Sequence, residues 1–413
     1  MGRGMVIFAW ILLGLWAHVC GVWAALLILQ QRVRREGLML EPVTTENAEA
    51  DGTKETLPSV CVVVPVRNEG RAIEPCLSSV LAQDWPRLSV VVVDDRSEDD
   101  TTAVVEEYVR KDHRCRLVRV AALPDGWMGK SHALWTGTRD VTADWLLFVD
   151  GDCTLDPRAV RTVVHEAVRR NVDLLSLWPR HDACSFWEHM LIPLCAAIVA
   201  LWFGSPEVNR TGSTRAFANG QFLLIRRSEY ERVGGHRAVR RALIEDIPLA
   251  EHAAAAGLRL WVGAGQRLVA VRMYTRYAAI RDGWARIYVG ALRSGWKIAL
   301  SILWLLAGSL LPFIALAVLA VAVAWRGGLN PAGSPLETAT LLLGSLHIAF
   351  IALVSYRFWG WGNCRRSYLW LYPVSVLGVV AILVRAWWWL VVCRCIPWRG
   401  RRYSIDRHGA IVC

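Results

Sequence analysis

The sequence predicts an α/β domain with a mostly parallel sheet, set between one apolar segment near its N-terminal end and several near its C-terminal end. Three observations carry this. Between Ser59 and Lys297, short runs that are apolar throughout alternate with runs of helical spacing; strands apolar on both faces belong to parallel sheets covered by helices. Polar residues recur directly after those strands. Four further runs, Met5–Gln30, Ile298–Trp325, Leu336–Tyr356 and Tyr368–Cys393, each exceed the roughly 20 residues a helix needs to cross a bilayer.

The first run is too long for the apolar core of a signal peptide, and no small-residue cleavage site follows it. Arg32, Arg34 and Arg35 follow instead, which favours the cytoplasm for what comes next. Residues 1–31 are therefore expected to be an anchor with its N-terminus outside. Residues 32–58, polar and without hydrophobic periodicity from Glu41 to Pro58, are expected to be a linker.

The expected strands are Val60–Val64, Val90–Val93, Leu117–Val120, Trp145–Val149 and Leu174–Leu177. Helical spacing fills Ile73–Leu81, Thr102–Val109, His132–Thr138 and Pro157–Arg170 between them. In such sheets ligands bind beyond the carboxyl ends of the strands. Pro65, Arg67, Asn68 and Glu69 follow the first strand, Asp94 to Ser97 the second, and Asp150 and Asp152 the fourth. Leu191–Gly204 is apolar but too short to span, and fits either a core helix or an interfacial one.

Asp150-Gly151-Asp152 ends a buried strand with two carboxylates aimed at one place. Like charges that close need a metal ion, a basic side chain or water between them. Magnesium commonly takes one or two carboxylates plus substrate phosphates, so a metal-bound diphosphate is one reading and an ordinary Asp/Gly turn the other. Asp94 and Asp95 fit a helix start, and also a hydrogen bond to a base or ribose. Glu245-Asp246 precedes helical spacing, as a helix-start charge or as a general base at a crevice lip. Gly126, Gly129 and Lys130 precede another helix, where backbone N–H groups and an ammonium favour an anion. Arg272, Tyr274, Arg281, Trp284 and Arg286 precede the second long apolar run. They fit an amphipathic helix at the membrane, and Arg there also suits a leaving diphosphate.

Bulk composition narrows the classes. The chain has 413 residues, 54% of them hydrophobic, and a net charge of +11. That charge is expected to sit in the flanks of the membrane segments, where it attracts anionic headgroups; no basic stripe points to nucleic acid. The 11 cysteines are scattered without a C-x-x-C pair, which argues against a disulfide framework or a zinc site.

In order along the chain stand VCVVVPVRNEG, VVVVDDRSEDDT, GWMGKSHAL, LLFVDGDCTLDPRAV, NGQFLLIRRSEYERVGGH, IEDIPLAEHAAAAG and RMYTRYAAIRDGW. Together they resemble the membrane-bound family 2 glycosyltransferases. Among these they are most similar to hopanoid-associated and carotenoid enzymes, and more distantly to ceramide glucosyltransferases. The resemblance implies a GT-A domain, Rossmann-like with a mostly parallel sheet, over residues 59–297, within which 191–204 stays open as a core or an interfacial helix. It implies C-terminal membrane segments over 298–394 and a basic tail over 395–413. It also implies a multi-pass protein of the cell membrane with its catalytic domain in the cytoplasm.

By the same resemblance, Asp150 and Asp152 hold Mg2+ or Mn2+ on the diphosphate of a nucleotide sugar, a UDP-sugar foremost. Asp95, with Asp94 beside it, lies near the nucleoside, and Pro65 and Glu69 line the same pocket. Lys130 or Arg272 assists the leaving diphosphate, and Trp284 stacks on sugar or lipid. Asp246 is the base that inverts the sugar onto a lipid hydroxyl. Relatives carry Q-x-x-R-W where this chain reads Arg281-Asp282-Gly283-Trp284, which counts against a processive polysaccharide synthase; a polyprenyl-phosphate acceptor and a non-enzymatic membrane scaffold are the other readings. If all four long runs crossed, Arg394, Arg399, Arg401 and Arg402 would lie outside, against the charge rule. Arg385 and Trp387–Trp389 mark the last run as one that turns back.

Overall fold

The computed structural model describes residues 3–44, 57–210, 212–213, 215–327, 335–398 and 401–412. Most of the expected linker (45–56), together with Arg399 and Cys413, lies outside the described residues.

The centre is a seven-stranded sheet in the order β3-β2-β1-β4-β8-β6-β9. Its strands are β1 (Val60–Val66), β2 (Leu88–Asp94), β3 (Cys115–Arg119), β4 (Trp145–Val149), β6 (Leu174–Trp178), β8 (Phe222–Arg226) and β9 (Leu260–Ala264). All neighbours pair parallel except β8, which runs antiparallel to both β4 and β6. β1 and β4 are buried along their whole length, because α2 (Gly70–Leu81), α3 (Thr101–Lys111), α4 (Gly129–Thr138) and α5 (Ala159–Arg169) cover the sheet from both faces. Pro65 is tolerated in a central strand because β1 pairs with β4 only as far as Val63, so its missing N–H deprives no β4 carbonyl.

The reversed direction of β8 matters for the site. Its N-terminal end lies at the same edge as the carboxyl ends of the parallel strands, so Asn219-Gly220-Gln221 arrives there beside Asp150. A small second sheet fixes the other side. β5 (Cys153–Leu155) pairs with β10 (Val269–Val271), which also pairs with β7 (Arg180–His181). The Asp150–Asp152 turn is thereby pinned between β4 and β5.

Five helical segments among the described residues are long and apolar enough to cross a membrane: Trp10–Arg32, Phe186–Val208, Gly295–Trp325, Pro335–Trp361 and Arg366–Cys393. The second is longer than its apolar run implied. α6 (Phe186–Trp202) begins at a capping box in which Ser185 Oγ accepts the Glu188 N–H and Glu188 accepts the Ser185 N–H. One face of α6 is buried through Leu191, Cys195 and Ile198. It packs against α8 (Tyr277–Leu292) and α12 (Tyr372–Trp387), while α1 (Arg3–Arg35) lies along α11 (Pro335–Trp361). Between them run α9 (Gly295–Leu305) and α10 (Leu311–Trp325), joined by a π turn.

The start of the linker after α1 and the basic tail are both docked. Leu38 and Leu40 are buried, and backbone hydrogen bonds between Leu40 and Ala264 (2.9 Å) and between Ala264 and Leu38 (2.7 Å) add this segment to the edge of β9. The basic tail forms a hairpin of β11 (Cys395–Trp398) and β12 (Arg401–Ser404). Past it, the Ile411 N–H donates to Arg241 O at 3.0 Å and Ala410 bridges Ala242, so the tail lies on the α/β unit. Arg385 is paired: its guanidinium is 2.8 Å from Asp282 of α8 and lies over the Trp389 ring.

Candidate active site

At the carboxyl edge of the sheet a cavity of about 280 Å³ collects the loops after β1, β2 and β4, the turn before β8 and the start of α7 (Asp246–Ala255). Pro65, Glu69, Asp95, Lys130, Asp150, Asp152, Trp284 and Asp246 all line it.

What lies between the carboxylates is first of all a side chain. Lys130 Nζ is 2.7 Å from Asp150 Oδ1 and 2.7 Å from Glu245 Oε1. Burial on its own would depress this ammonium's pKa; the two carboxylates outweigh it and hold the pKa well above the ordinary lysine value. Glu245 answers in kind: burial would raise it, but Lys130 pulls it below the usual range. Asp152 makes no ion pair within 4 Å among the described residues, and the pull of Lys130 on it is the weaker effect. Burial, then repulsion from Asp150 and Glu69, pushes it well above the usual carboxylate range. Glu69 presses directly on the turn, since a Cβ added at Gly151 would overlap Glu69 Oε2.

Asp246 sits in the first turn of α7. Gly220 N–H donates to its Oδ2 at 2.7 Å and Ile247 N–H to its Oδ1 at 2.8 Å, which leaves lone pairs on both oxygens. Burial, then the charge of Glu245, raises its pKa to about 6, against the opposing pull of Lys130.

Asp95 is clamped by Arg96, whose Nε and Nη2 donate to its Oδ1 at 2.8 and 2.6 Å. It rests against the start of α4, where a Cβ at Gly129 would overlap Asp95 Oδ2. Arg96 and Asn68, at the ends of β2 and β1, both hold left-handed backbone (φ 59 and 54). This uncommon conformation clusters at functional loops.

Two expected residues are placed elsewhere. Asp94 does not line the cavity: its oxygens accept the Ser97 N–H (2.9 Å) and the Thr102 hydroxyl (2.5 Å), fixing the start of α3. Arg272 is used structurally, its N–H bonded to Asp152 O (3.2 Å) and its guanidinium 3.4 Å from Glu188. Arg286 holds the position facing Asp150 instead. It lies 3.9 Å over the Trp398 ring, and its Nη2 donates to Tyr274 OH at 3.2 Å. Trp398 and Tyr403 of the tail hairpin line the cavity, as does His181, whose pKa burial lowers to about 4. Trp398, Tyr403 and His181 are not among the residues singled out from the sequence.

Two buried donors in the wall, Trp284 Nε1 and Gln221 Nε2, have no protein partner among the described residues. An unpaired buried donor costs about 1–3 kcal/mol, so both fit a ligand rich in oxygen. The balance of charge points the same way. Glu69, Asp95, Asp150, Asp152, Glu245 and Asp246 face Arg67, Lys130 and Arg286 across the cavity. An anionic ligand needs more positive charge than that. No cluster of three or more His, Cys, Asp or Glu side chains that could hold a metal occurs among the described residues. A magnesium-like ion held by one or two carboxylates and by its ligand's phosphates fits these residues.

Comparison with known proteins gives a family for part of the chain. Residues 61–246 match the family model described as Glycosyl transferase family 2. The chain is 26% identical to the 4,4'-diaponeurosporenoate glycosyltransferase of Staphylococcus aureus strain USA300, over 85% of this chain and 89% of that one. It is 25% identical to the protein of the same description from strain MRSA252, over the same shares. Among solved structures it is similar to a mannosyltransferase from Pyrobaculum calidifontis in complex with GDP-Man and Mn2+. That match has 20% identity and a TM-score of 0.49, and covers 90% of this chain and 99% of that one. Residues 61–246 thus carry a family 2 glycosyltransferase domain, set among helices long and apolar enough to cross a membrane, and the chain is a membrane-associated glycosyltransferase.

Proposed function

We propose that the enzyme moves a sugar from a nucleotide diphosphate donor, a UDP-sugar foremost, to a hydroxyl of a membrane lipid, with inversion at the anomeric carbon. The observation that carries this is one cavity holding a half-buried carboxylate pair at a strand end, Lys130 between Asp150 and Glu245, and next to Glu245 the carboxylate of Asp246 with its pKa raised to about 6. The relatives' name, a glycosyltransferase of 4,4'-diaponeurosporenoate, supports a lipid acceptor.

Asp95 accepts from the nucleoside, held in place by Arg96. Asp150 and Asp152 face the donor's phosphates, and a divalent cation bound there, Mg2+ or Mn2+, would supply Lewis-acid stabilisation of the leaving diphosphate. Lys130 and Arg286 add fixed positive charge on the same side. Trp284 Nε1 and Gln221 Nε2 donate to donor oxygens. Asp246 takes the proton of the acceptor hydroxyl as its oxygen attacks the anomeric carbon from the face opposite the nucleotide. The bond to the diphosphate breaks as the new glycosidic bond forms, and the nucleotide leaves with both electrons.

The tail hairpin contributes to the site, so it shares a compartment with the catalytic unit, and the chain between residues 293 and 394 crosses the membrane an even number of times. We place both in the cytoplasm, on the strength of the basic residues after the first span. The last segment returns along α8 and α9 rather than crossing.

A panel of nucleotide sugars and extracted lipids, offered to the purified protein with metal, tests the reading. The expected product is a lipid glycoside of inverted configuration; retention of configuration would refute single displacement. Two further results are expected. Asp246 must be deprotonated to act, and its folded pKa is raised to about 6; kcat/KM therefore rises with pH up to about that value and levels off above it. An acid limb centred near 4 would remove Asp246 as the base. Trp398→Ala releases Arg286 from a cation–π contact of roughly 0.5–2 kcal/mol, so the donor KM rises about three- to tenfold with a smaller change in kcat. An unchanged KM would mean that the hairpin does not support the donor site.

A further inference from the structure

A second cavity, of about 330 Å³, lies between α1, α6 and α11 and borders the catalytic cavity. Trp178, His181 and Ala196 line both. Three aromatic rings stand where the two meet. Trp178 stacks on Phe217 (4.7 Å between centroids, 12° between planes), and Phe217 on Phe203 (5.3 Å, 30°). Phe217 faces the catalytic side and Phe203 the second cavity.

The cavity exists because α6 presents small residues at helical spacing. Pro193, Ala196, Ala197 and Ala200 all line it, as does Gly204 just past the end of the helix. Spacings of three and four put these positions on one face. At the outer end, Leu29 and Leu201 line the cavity and are also exposed, 40% and 45%; such a rim opens onto the apolar belt that lipid covers. The wall is not wholly apolar. Gln30, 9% exposed, keeps its Oε1 buried with no partner among the described residues. Trp361 Nε1, also in the wall, is in the same position as a donor. A mostly apolar cavity of ligand size suits a largely hydrocarbon occupant, and the open acceptor and donor mark two places in its wall where that occupant can also meet a polar atom.

We propose that this cavity holds the apolar chain of the acceptor, which enters from the bilayer past Leu29 and Leu201. Its hydroxyl end passes the Trp178–Phe217–Phe203 stack to reach Asp246. The acceptor is accordingly a long, slender amphiphile rather than a soluble sugar or a bulky headgroup lipid. This rests on the lipid-acceptor reading above and assigns it a place.

The test uses the full chain in lipid nanodiscs and a long-chain alcohol carrying a diazirine at mid-chain. Irradiation is expected to label α6 from Pro193 to its end at Trp202 and α1 between Trp23 and Gln30, with labelling competed by extracted membrane lipid. Labelling confined to the outer faces of α10 and α11 would overturn the proposal. Ala197→Phe fills the second cavity without lining the catalytic one. It should lower labelling and transfer to the long-chain alcohol about tenfold while donor hydrolysis stays within about twofold. Unchanged labelling and transfer in that variant would equally overturn it. Donor hydrolysis reports on the transferase reading separately: labelling of α6 with no turnover of any nucleotide sugar would sink that reading and leave the cavity assignment standing.

Discussion

Asp246→Asn is expected to lower sugar transfer by about two to four orders of magnitude, the usual contribution of a positioned general base, while donor affinity stays within about threefold. The asparagine is nearly isosteric and its carbonyl oxygen still accepts one of the N–H groups from Gly220 and Ile247, so the start of α7 should hold. Its amide cannot take up the acceptor proton. The neighbouring Glu245 does not substitute, because its carboxylate is committed to Lys130 at 2.7 Å. Measured rates and nucleotide affinities of the two proteins decide the matter. Transfer near the native rate would place the base elsewhere; lost donor binding would make Asp246 a binding residue.

The second large effect is expected at Asp152. Asp152→Asn should abolish metal-dependent donor binding and lower transfer by at least about a hundredfold. The metal-free protein should at the same time become more stable. The sign follows from linkage. Asp152 has its folded-state pKa raised well above the unfolded value by burial and by Asp150 and Glu69. Its contribution to stability is therefore full only at pH below the unfolded pKa. That contribution declines as pH rises through the folded one, and at neutral pH the charge works against the fold. Asparagine removes it. A thermal melt without metal should shift upward relative to the native protein, and the upward shift that donor plus metal give the native protein should disappear. Asp150→Asn should behave differently: it strips Lys130 of one of its two carboxylates, so the metal-free protein gains less or loses stability. Equal melts for the native and Asp152→Asn proteins would contradict the electrostatic account of the turn.

Much of this architecture could be read from the sequence because a parallel sheet turns local pattern into a global edge. Runs such as Val60–Val64 and Trp145–Val149 are apolar on both faces, and each is followed by charge; once the strands are parallel, all of those charges meet. That reasoning brought Glu69, Asp95, Asp150 and Asp152 to one cavity. It could not separate Asp94 from Asp95, because neighbouring residues at a strand end point to opposite sides and only one side is the cavity. The choice between Arg272 and Arg286 depended on Glu188, a helix cap 84 residues away in sequence that claims Arg272.

Lys130 between Asp150 and Glu245 is a three-element contact, and no local spacing encodes it. The reversal of β8, which delivers Gly220 to Asp246, is a topological fact of the same kind. The tail was read as a basic peptide returning to the catalytic side. Its role as a wall of the site comes from long-range packing of Trp398 and Tyr403, which apolar and charge patterns do not express.

The most direct test of the account is recovery of labelled sugar in the lipid phase. The purified full-length protein would be given a labelled nucleotide sugar and membrane lipid, first with divalent metal, then with excess chelator, then with Mg2+ or Mn2+ restored. The account predicts a labelled lipid that disappears with chelator and returns with metal. Label that reaches the lipid undiminished by chelator, or that never reaches it with any donor, would contradict it.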